Sequence, residues 1–405
     1  MQPCPLMTTQ FPHLEYSAFS NRKNPGGLRF GRSQRLSEIW LLPDEVFDGE
    51  QLLSRKALKV SDGKIEGVYD ANQAPENSRR IGGVISPGFV DLQVNGGGGV
   101  LFNDTPTVDG ISAIISAHRR LGTTAILPTV ITDAPDVMEQ AINAVIEAKG
   151  MPGMLGIHIE GPHISIPRRG THAERYVRPM DRATINQVER LLSLDIGVLI
   201  TLAPEAATTA QITEMADLGA IVSLGHSDAT SEQAKSAIQA GASCATHLFN
   251  AMSPMLNREP GVTGAVINSN IAAGMIVDGI HVSDEMIALA MRARPQKDTM
   301  FLVSDAMPTV GGPNKFSLYG SDVHLENGRL VNDEGSLAGA HTTQADGVYR
   351  LANFIGIDRS ETLRAAISVP SRLIGCKARA DIVGMSVQDL ICLSEDLSFT
   401  GYLEL

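Results

Sequence analysis

Five short segments of this 405-residue chain carry side chains able to hold a metal or move a proton. They are His158-Ile159-Glu160-Gly161-Pro162, Gly225-His226-Ser227, Thr246-His247-Leu248-Phe249-Asn250, Asp278-Gly279-Ile280-His281 and Ser304-Asp305-Ala306. A Glu with two His is a recognised ligand set for a catalytic divalent metal, with one position left for water. Imidazole suits zinc or iron, and the carboxylate offsets part of the metal's charge. Such a metal lowers the pKa of its water and polarises a carbonyl. A carboxylate outside the ligand set, such as Asp305, can take the water's proton and later deliver it to a leaving group. The sum is metal-assisted hydrolysis of a C–N bond.

Each segment alone has a plainer explanation. A lone His at a strand end is commonly a hydrogen-bonded structural residue, and an Asp before a turn is commonly a turn-former or helix cap. Glu160 alone reads as a solvated rim charge. Five coincidences on one face weigh against that explanation. Asp91-Leu92-Gln93-Val94-Asn95 adds a negative clue, because period two puts Gln93 and Asn95 on one face. Two His at that spacing would complete a second metal site. Amides are poorer ligands, so we expect a single metal, with Gln93 and Asn95 marking the vacant second position.

The elements that must position these groups are legible as a recurring unit. A short apolar run ends in polar or Gly residues, and a helix-period segment follows. Eight runs are present: Val84–Asn95, Thr123–Val130, Met154–Pro162, Val198–Glu205, Ala220–His226, Ser243–Asn250, Ala273–His281 and Met300–Asp305. Helical segments follow most of them, including Thr107–Leu121, Asp136–Lys149, Thr208–Leu218, Ser231–Ala240 and Asp284–Arg294. Near-continuous apolar strands alternating with helices indicate a parallel sheet covered on its faces. Eight units over nearly 300 residues predict an α/β fold, a (β/α)8 TIM-type barrel, with its chemistry at the C-terminal strand ends. A doubly wound sheet is the rival, but Gly96–Gly99 lacks the spacing of a nucleotide-binding turn.

Short β-like pieces lie at both ends. Ala57–Val68 reads as strand, Asp-Gly turn, strand, and Ala380–Leu405 is similar in character. We expect residues 37–85 with 380–405 to form a small β-sandwich domain flanking a catalytic barrel at 86–379. Residues 1–36 carry five Arg or Lys against one acid, Glu15, and the breaker Asn24-Pro25-Gly26-Gly27, and read as a loosely ordered extension.

Composition narrows the partners. The formal net charge of −12 argues against a phosphate-backbone binder, so no nucleic acid is expected. It leaves room for a small anionic substrate held by one or two cations. Cys4, Cys244, Cys376 and Cys392 show no CxxC spacing, which argues against a zinc ribbon or a disulfide framework and points to the cytoplasm. No stretch is long and apolar enough for a membrane span.

From about Ser37 onward the chain resembles the N-acetylglucosamine-6-phosphate deacetylases of the amidohydrolase superfamily. The motifs that carry the resemblance are Ser86–Gly96 (SPGFVDLQVNG), His158–Pro162, Gly170-Thr171-His172, Gly225–Ser227, Thr246–Met252 (THLFNAM), Arg258-Glu259-Pro260-Gly261, Asp278–His281 and Val303-Ser304-Asp305-Ala306. The resemblance implies metal ligation by Glu160, His226 and His247, and Asp305 as general base and acid. It places His281 near the acetyl carbonyl and sugar hydroxyls, where it helps stabilise an oxyanion. It assigns the sugar phosphate to Arg258 and His172, with Thr171, Asn250 and Ala251 in the same pocket. Leu337-Ala338-Gly339 closes over the sugar. Gln-x-Asn on the first strand places the chain with the one-metal members. His163 stands where an aromatic is commoner and reads as an inert substitution; His158, His118 and His324 read as structural, and His341 is left without a role.

The implied reaction is removal of acetate from N-acetyl-D-glucosamine 6-phosphate, giving D-glucosamine 6-phosphate, in amino-sugar catabolism or cell-wall recycling. The implied cofactor is one divalent ion per chain, zinc before Fe2+, Mn2+ or Co2+, and the implied assembly is a homodimer or higher homo-oligomer. Two competing readings stay open. One is a related amidohydrolase acting on another amide or a cyclic amide. The other is a catalytically silent barrel that only binds sugar phosphates.

Overall fold

The computed structural model describes residues 38–332, 335 and 337–405. The N-terminal extension, residues 1–36, lies outside them. Eight strands form one parallel sheet in simple sequence order: β1 (Phe89–Val94), β2 (Thr123–Ile131), β3 (Gly156–Glu160), β4 (Gly197–Leu202), β5 (Ile221–Leu224), β6 (Cys244–Ala245), β7 (Ala272–Met275) and β8 (Met300–Leu302). Each of the eight expected runs coincides with one of these strands to within a residue at the edges they share, or contains it. The sheet closes just beyond β8, where Ala306 bridges Val94 in parallel. There the Asp305 amide donates to the Gln93 carbonyl at 3.0 Å, and the Asn95 amide donates to Ala306 at 3.0 Å. The fold is the expected (β/α)8 barrel, with a separate sheet drawn from both chain ends.

Local sequence explains where the covering helices start. Thr107, Asp181, Thr208, Thr230 and Thr343 each sit in extended backbone and accept an N–H from the first helical turn. Thr208 with Gln211, Thr230 with Gln233 and Thr343 with Asp346 form reciprocal capping boxes. The helices bury one apolar stripe against the sheet, through residues such as Ile111, Ile142, Val188, Ile212 and Ile287.

The end sheet runs in the order Phe399–Tyr402, Leu390–Leu393, Arg79–Pro87, Ile39–Phe47, Lys56–Ser61, Lys64–Asp70, with Leu52–Ser54 paired to Ile39–Phe47. Its hairpin turns at Asp62-Gly63, both at positive φ, as a two-residue connection of this type requires. The first apolar run belongs to both bodies. It breaks at Gly88, whose N–H donates to Asp389. A Cβ at Gly88 would lie 2.1 Å from the Thr124 methyl, so only glycine lets the chain pass from sheet to barrel here.

A three-stranded antiparallel flap, Lys315–Leu318, Ser321–Glu326 and Arg329–Asn332, follows β8. Leu318, Val323 and Leu330 pack it against Leu101, Ile131, Met307 and Ala338 at the barrel mouth. Among the described residues, no helix is long and apolar enough to cross a membrane.

Candidate metal centre

Strands β3, β5 and β6 deliver Glu160, His226 and His247 to one point at the C-terminal mouth. Glu160 ends β3, His226 follows β5 by two residues, and His247 follows β6 by two. All three are buried. Nε2 of His226 lies 3.2 Å and Nε2 of His247 3.0 Å from Glu160 Oε1, and the two Nε2 atoms are 3.1 Å apart. His226 and His247 take left-handed backbone, with φ of 47° and 28°. Such conformations are costly for residues with a Cβ and collect at functional sites.

The donor chemistry fits a cation. His226 Nδ1 faces the Arg168 carbonyl at 2.9 Å, and a carbonyl can only accept, so Nδ1 carries the hydrogen. That leaves the Nε2 lone pair aimed at a second imidazole nitrogen and a carboxylate oxygen. Three electron-rich atoms converging in a dry site call for positive charge between them. Burial alone would raise the Glu160 pKa, but the His226 and His247 imidazoles beside it outweigh that and hold the carboxyl well below its usual range. Burial alone would lower His247, yet Glu160 pulls it up. A divalent ion satisfies the same demand.

Asp305 sits beside this set, also at positive φ (50°). Its Oδ1 accepts from Asn95 Nδ2 at 2.6 Å and from Gln93 Nε2 at 3.1 Å. Gln93 Nε2 also donates to Glu160 Oε1 at 3.0 Å. The amides of Gln93 and Asn95 therefore turn their NH2 groups toward two carboxylates, Glu160 and Asp305. Burial, then the Glu160 charge, pushes Asp305 upward.

The other expected site residues divide into two groups. His281 lies close enough to Asp305 for its charge to favour the ionised carboxyl. Its Nδ1 is 2.7 Å from Asp278 Oδ2, whose other oxygen accepts from the Ile280 and His281 amides. Burial alone would raise Asp278, but these bonds hold it low. His172 is buried against His226, with ring centroids 4.4 Å apart and the planes tilted by 47°, and its Nδ1 meets Thr132 Oγ1 at 2.8 Å. Burial, then His226, pushes its pKa to about 3, so the ring is neutral. Thr171 beside it is half-buried. Asn250 and Ala251 are half-buried after His247, with Ala251 at φ 49°. Arg258 instead stands exposed on the loop before the helix Gly261–Ile267, which Glu259 pins by accepting from Ser231 and Gly261. Leu337 is exposed, Ala338 buried and Gly339 half-buried; the next amide, Ala340, donates to the Asp305 carbonyl at 3.0 Å.

Three contributors escape the sequence reading. Asp278 orients His281, and its spacing three residues upstream was a usable signal for an Asx turn. Thr132 joins His172, the Glu160 carbonyl and the flap, whose Tyr319 hydroxyl donates to the Thr132 carbonyl. Arg168 fixes the tautomer of His226 through its carbonyl, which no side-chain pattern announces. His163 bonds Arg178 and Thr184, His118 faces the Gly96 carbonyl, and His341 meets Thr309.

Comparison with known proteins identifies the family. The model of the amidohydrolase family matches residues 84–376. An N-acetylgalactosamine-6-phosphate deacetylase from a Shewanella species is 40% identical, over 87% of this chain and 92% of its own. An N-acetylglucosamine-6-phosphate deacetylase from Haemophilus influenzae is 34% identical, over 74% and 79%. The crystal structure of the Pasteurella multocida N-acetylglucosamine-6-phosphate deacetylase superposes with a TM-score of 0.82 at 33% identity, covering 91% of this chain and 98% of that one. A buried Glu-His-His set at the mouth of a closed eight-stranded barrel and these matches lead to one conclusion: the chain belongs to the amidohydrolase family.

Proposed function

We propose that the chain is a metal-dependent deacetylase that hydrolyses N-acetyl-D-glucosamine 6-phosphate to D-glucosamine 6-phosphate and acetate. The observation that carries this reading is the meeting of Glu160, His226 and His247 beside Asp305, a carboxylate outside the ligand set. One divalent ion per chain, zinc by the chemistry of the donors, would be held by those three residues and would activate water and polarise the acetamide carbonyl.

The chain's own residues supply the rest. Gln93 and Asn95 aim Asp305 through hydrogen bonds to Oδ1. Asp305 takes a proton from the attacking water, and the carbonyl carbon becomes tetrahedral. His281, braced at Nδ1 by Asp278, donates from Nε2 toward the oxygen on which charge develops. Asp305 then returns its proton to the nitrogen, because an amine anion is too poor a leaving group, and the C–N bond breaks. Arg258 holds the phosphate as a charge-assisted donor pair, with His172, Thr171, Asn250 and Ala251 shaping the pocket and Leu337-Ala338-Gly339 closing it. We place the enzyme in the cytoplasm as a homodimer.

A second reading concerns the epimer at C4, since the Shewanella relative is named for the galactosamine substrate. Acetate release from the two N-acetylhexosamine 6-phosphates and from unphosphorylated N-acetylglucosamine, with zinc-loaded protein, tests both. Faster turnover of the glucosamine 6-phosphate derivative is expected. Preference for the galacto epimer would reassign the substrate, and no release from any of them would overturn the deacetylase reading.

A further inference from the structure

Directly beneath the metal ligands the barrel interior is polar. His158 Nε2 lies 2.7 Å from Thr201 Oγ1, Thr201 Oγ1 lies 2.6 Å from Thr246 Oγ1, and Thr246 Oγ1 lies 2.6 Å from Ser223 Oγ. All four side chains are buried, three of them almost completely. A barrel interior is ordinarily filled by branched aliphatic residues. A hydrogen-bonded layer in that position restricts geometry in a way that apolar packing does not, because each bond has a length and a direction.

The layer maps onto the ligand set strand by strand. His158 precedes Glu160 by two residues on β3. Ser223 precedes His226 by three on β5. Thr246 immediately precedes His247 after β6. Thr201 comes from β4, the strand between β3 and β5 in the sheet. Every strand that ends in a metal ligand thus contributes one member, and the strand between two of them contributes the joint. Each hydroxyl can donate once and accept twice, so all three short contacts can be satisfied together.

Gly225 supplies a second observation. A Cβ there would lie 2.8 Å from the Thr201 methyl and 3.0 Å from Thr246 Cβ. The residue just before the ligand His226 has no side chain because the two threonines occupy that space. On the far side, Thr129 Oγ1 accepts the Val94 amide at 2.8 Å and stands 3.4 Å from His158 Nδ1, which ties the layer toward the strand bearing Gln93 and Asn95.

We infer that His158, Thr201, Ser223 and Thr246 are positioning residues that set the mutual spacing of Glu160, His226 and His247 before the metal arrives. The inference rests on the metal reading of those three residues. Thr201 is the member to alter, since it joins two ligand-bearing strands while lying on neither.

The test is chelator competition with the zinc-loaded full chain, run beside thermal unfolding. Thr201→Val keeps the shape and removes the hydroxyl; Thr201→Ser keeps the hydroxyl and removes the methyl. Ser371→Ala deletes a comparable buried hydroxyl that, among the described residues, bonds the Ile367 carbonyl one helical turn back, away from the site. Thr201→Val is expected to hold zinc roughly 10- to 100-fold more weakly, the usual cost of losing an outer-shell partner, with Thr201→Ser close to the unaltered chain. Unaltered zinc affinity in Thr201→Val would overturn the inference, as would a weakening no greater than that of Ser371→Ala at an equal fall in unfolding temperature. Failure of the unaltered chain to hold zinc would overturn the metal reading itself, and the inference with it.

Discussion

Strands β3 to β6 meet inside the barrel through His158, Thr201, Ser223 and Thr246, whereas β8, β1 and β2 meet through Phe301, Val303, Val90, Leu92 and Leu127. Both groups fill space between strands. The apolar group needs only the right volume and tolerates small shifts, because dispersion contacts are individually weak and have no direction. The polar group needs atoms at set distances. Leu199 of β4 and Cys244 of β6 carry the apolar layer on under the strands that aim the proposed ligands, so the directional bonds there are added to plain packing.

The comparison can be broken most sharply at its catalytic end. Asp305→Asn should keep the metal and lose turnover roughly 100- to 10,000-fold, the range of a general acid–base group. Metal analysis with steady-state kinetics checks it, and near-normal turnover would remove Asp305 from the chemistry. Phe301→Ala tests the apolar half. It should cost about 3–5 kcal/mol of stability by denaturant titration, yet leave zinc affinity unchanged in the folded protein. If it weakens zinc as Thr201→Val is expected to, the two halves do the same job and the distinction fails.

Arg258→Ala lies outside both halves. Loss of a hydrogen bond to a charged group, about 1.5–3 kcal/mol, should lower kcat/KM for the phosphorylated sugar through KM and spare the unphosphorylated one. Parallel kinetics on the two sugars decide it. The smallest effect belongs to His118, buried under the Gly96 carbonyl, where burial lowers its pKa to about 4. The unfolded ring titrates near ~6.5, so below that pH the unfolded chain binds the extra proton. The stabilising contribution is present above pH ~6.5 and is lost as pH falls toward about 4. His118→Gln should flatten that part of the acid-unfolding curve; an unchanged curve would assign the acid sensitivity to other buried imidazoles.

Strand positions were legible because barrel strands are buried on both faces and read as continuous apolar runs. The same property hid the break at Gly88, where one run, Val84–Asn95, serves two sheets. The convergence of Glu160, His226 and His247 was legible because charged and imidazole side chains interrupt apolar runs at one end only. Thr201 and Thr246 were not, since a threonine within such a run looks like one more β-branched residue. Their meaning depends on which strands lie side by side and in what register, which appears only once the sheet is built. The flap was equally hidden: its anchoring by Tyr319 to Thr132 links segments 187 residues apart.

The seam of the barrel carries a consequence for how activity arises. Asp305 and Ala306 are the residues through which β8 finds β1, and they bond Gln93, Asn95 and Ala340 as they do so. Closing the last edge and aiming Asp305 depend on the same bonds. A variant that loosens this seam is expected to displace the proposed general base while leaving Glu160, His226 and His247, which follow other strands, in place.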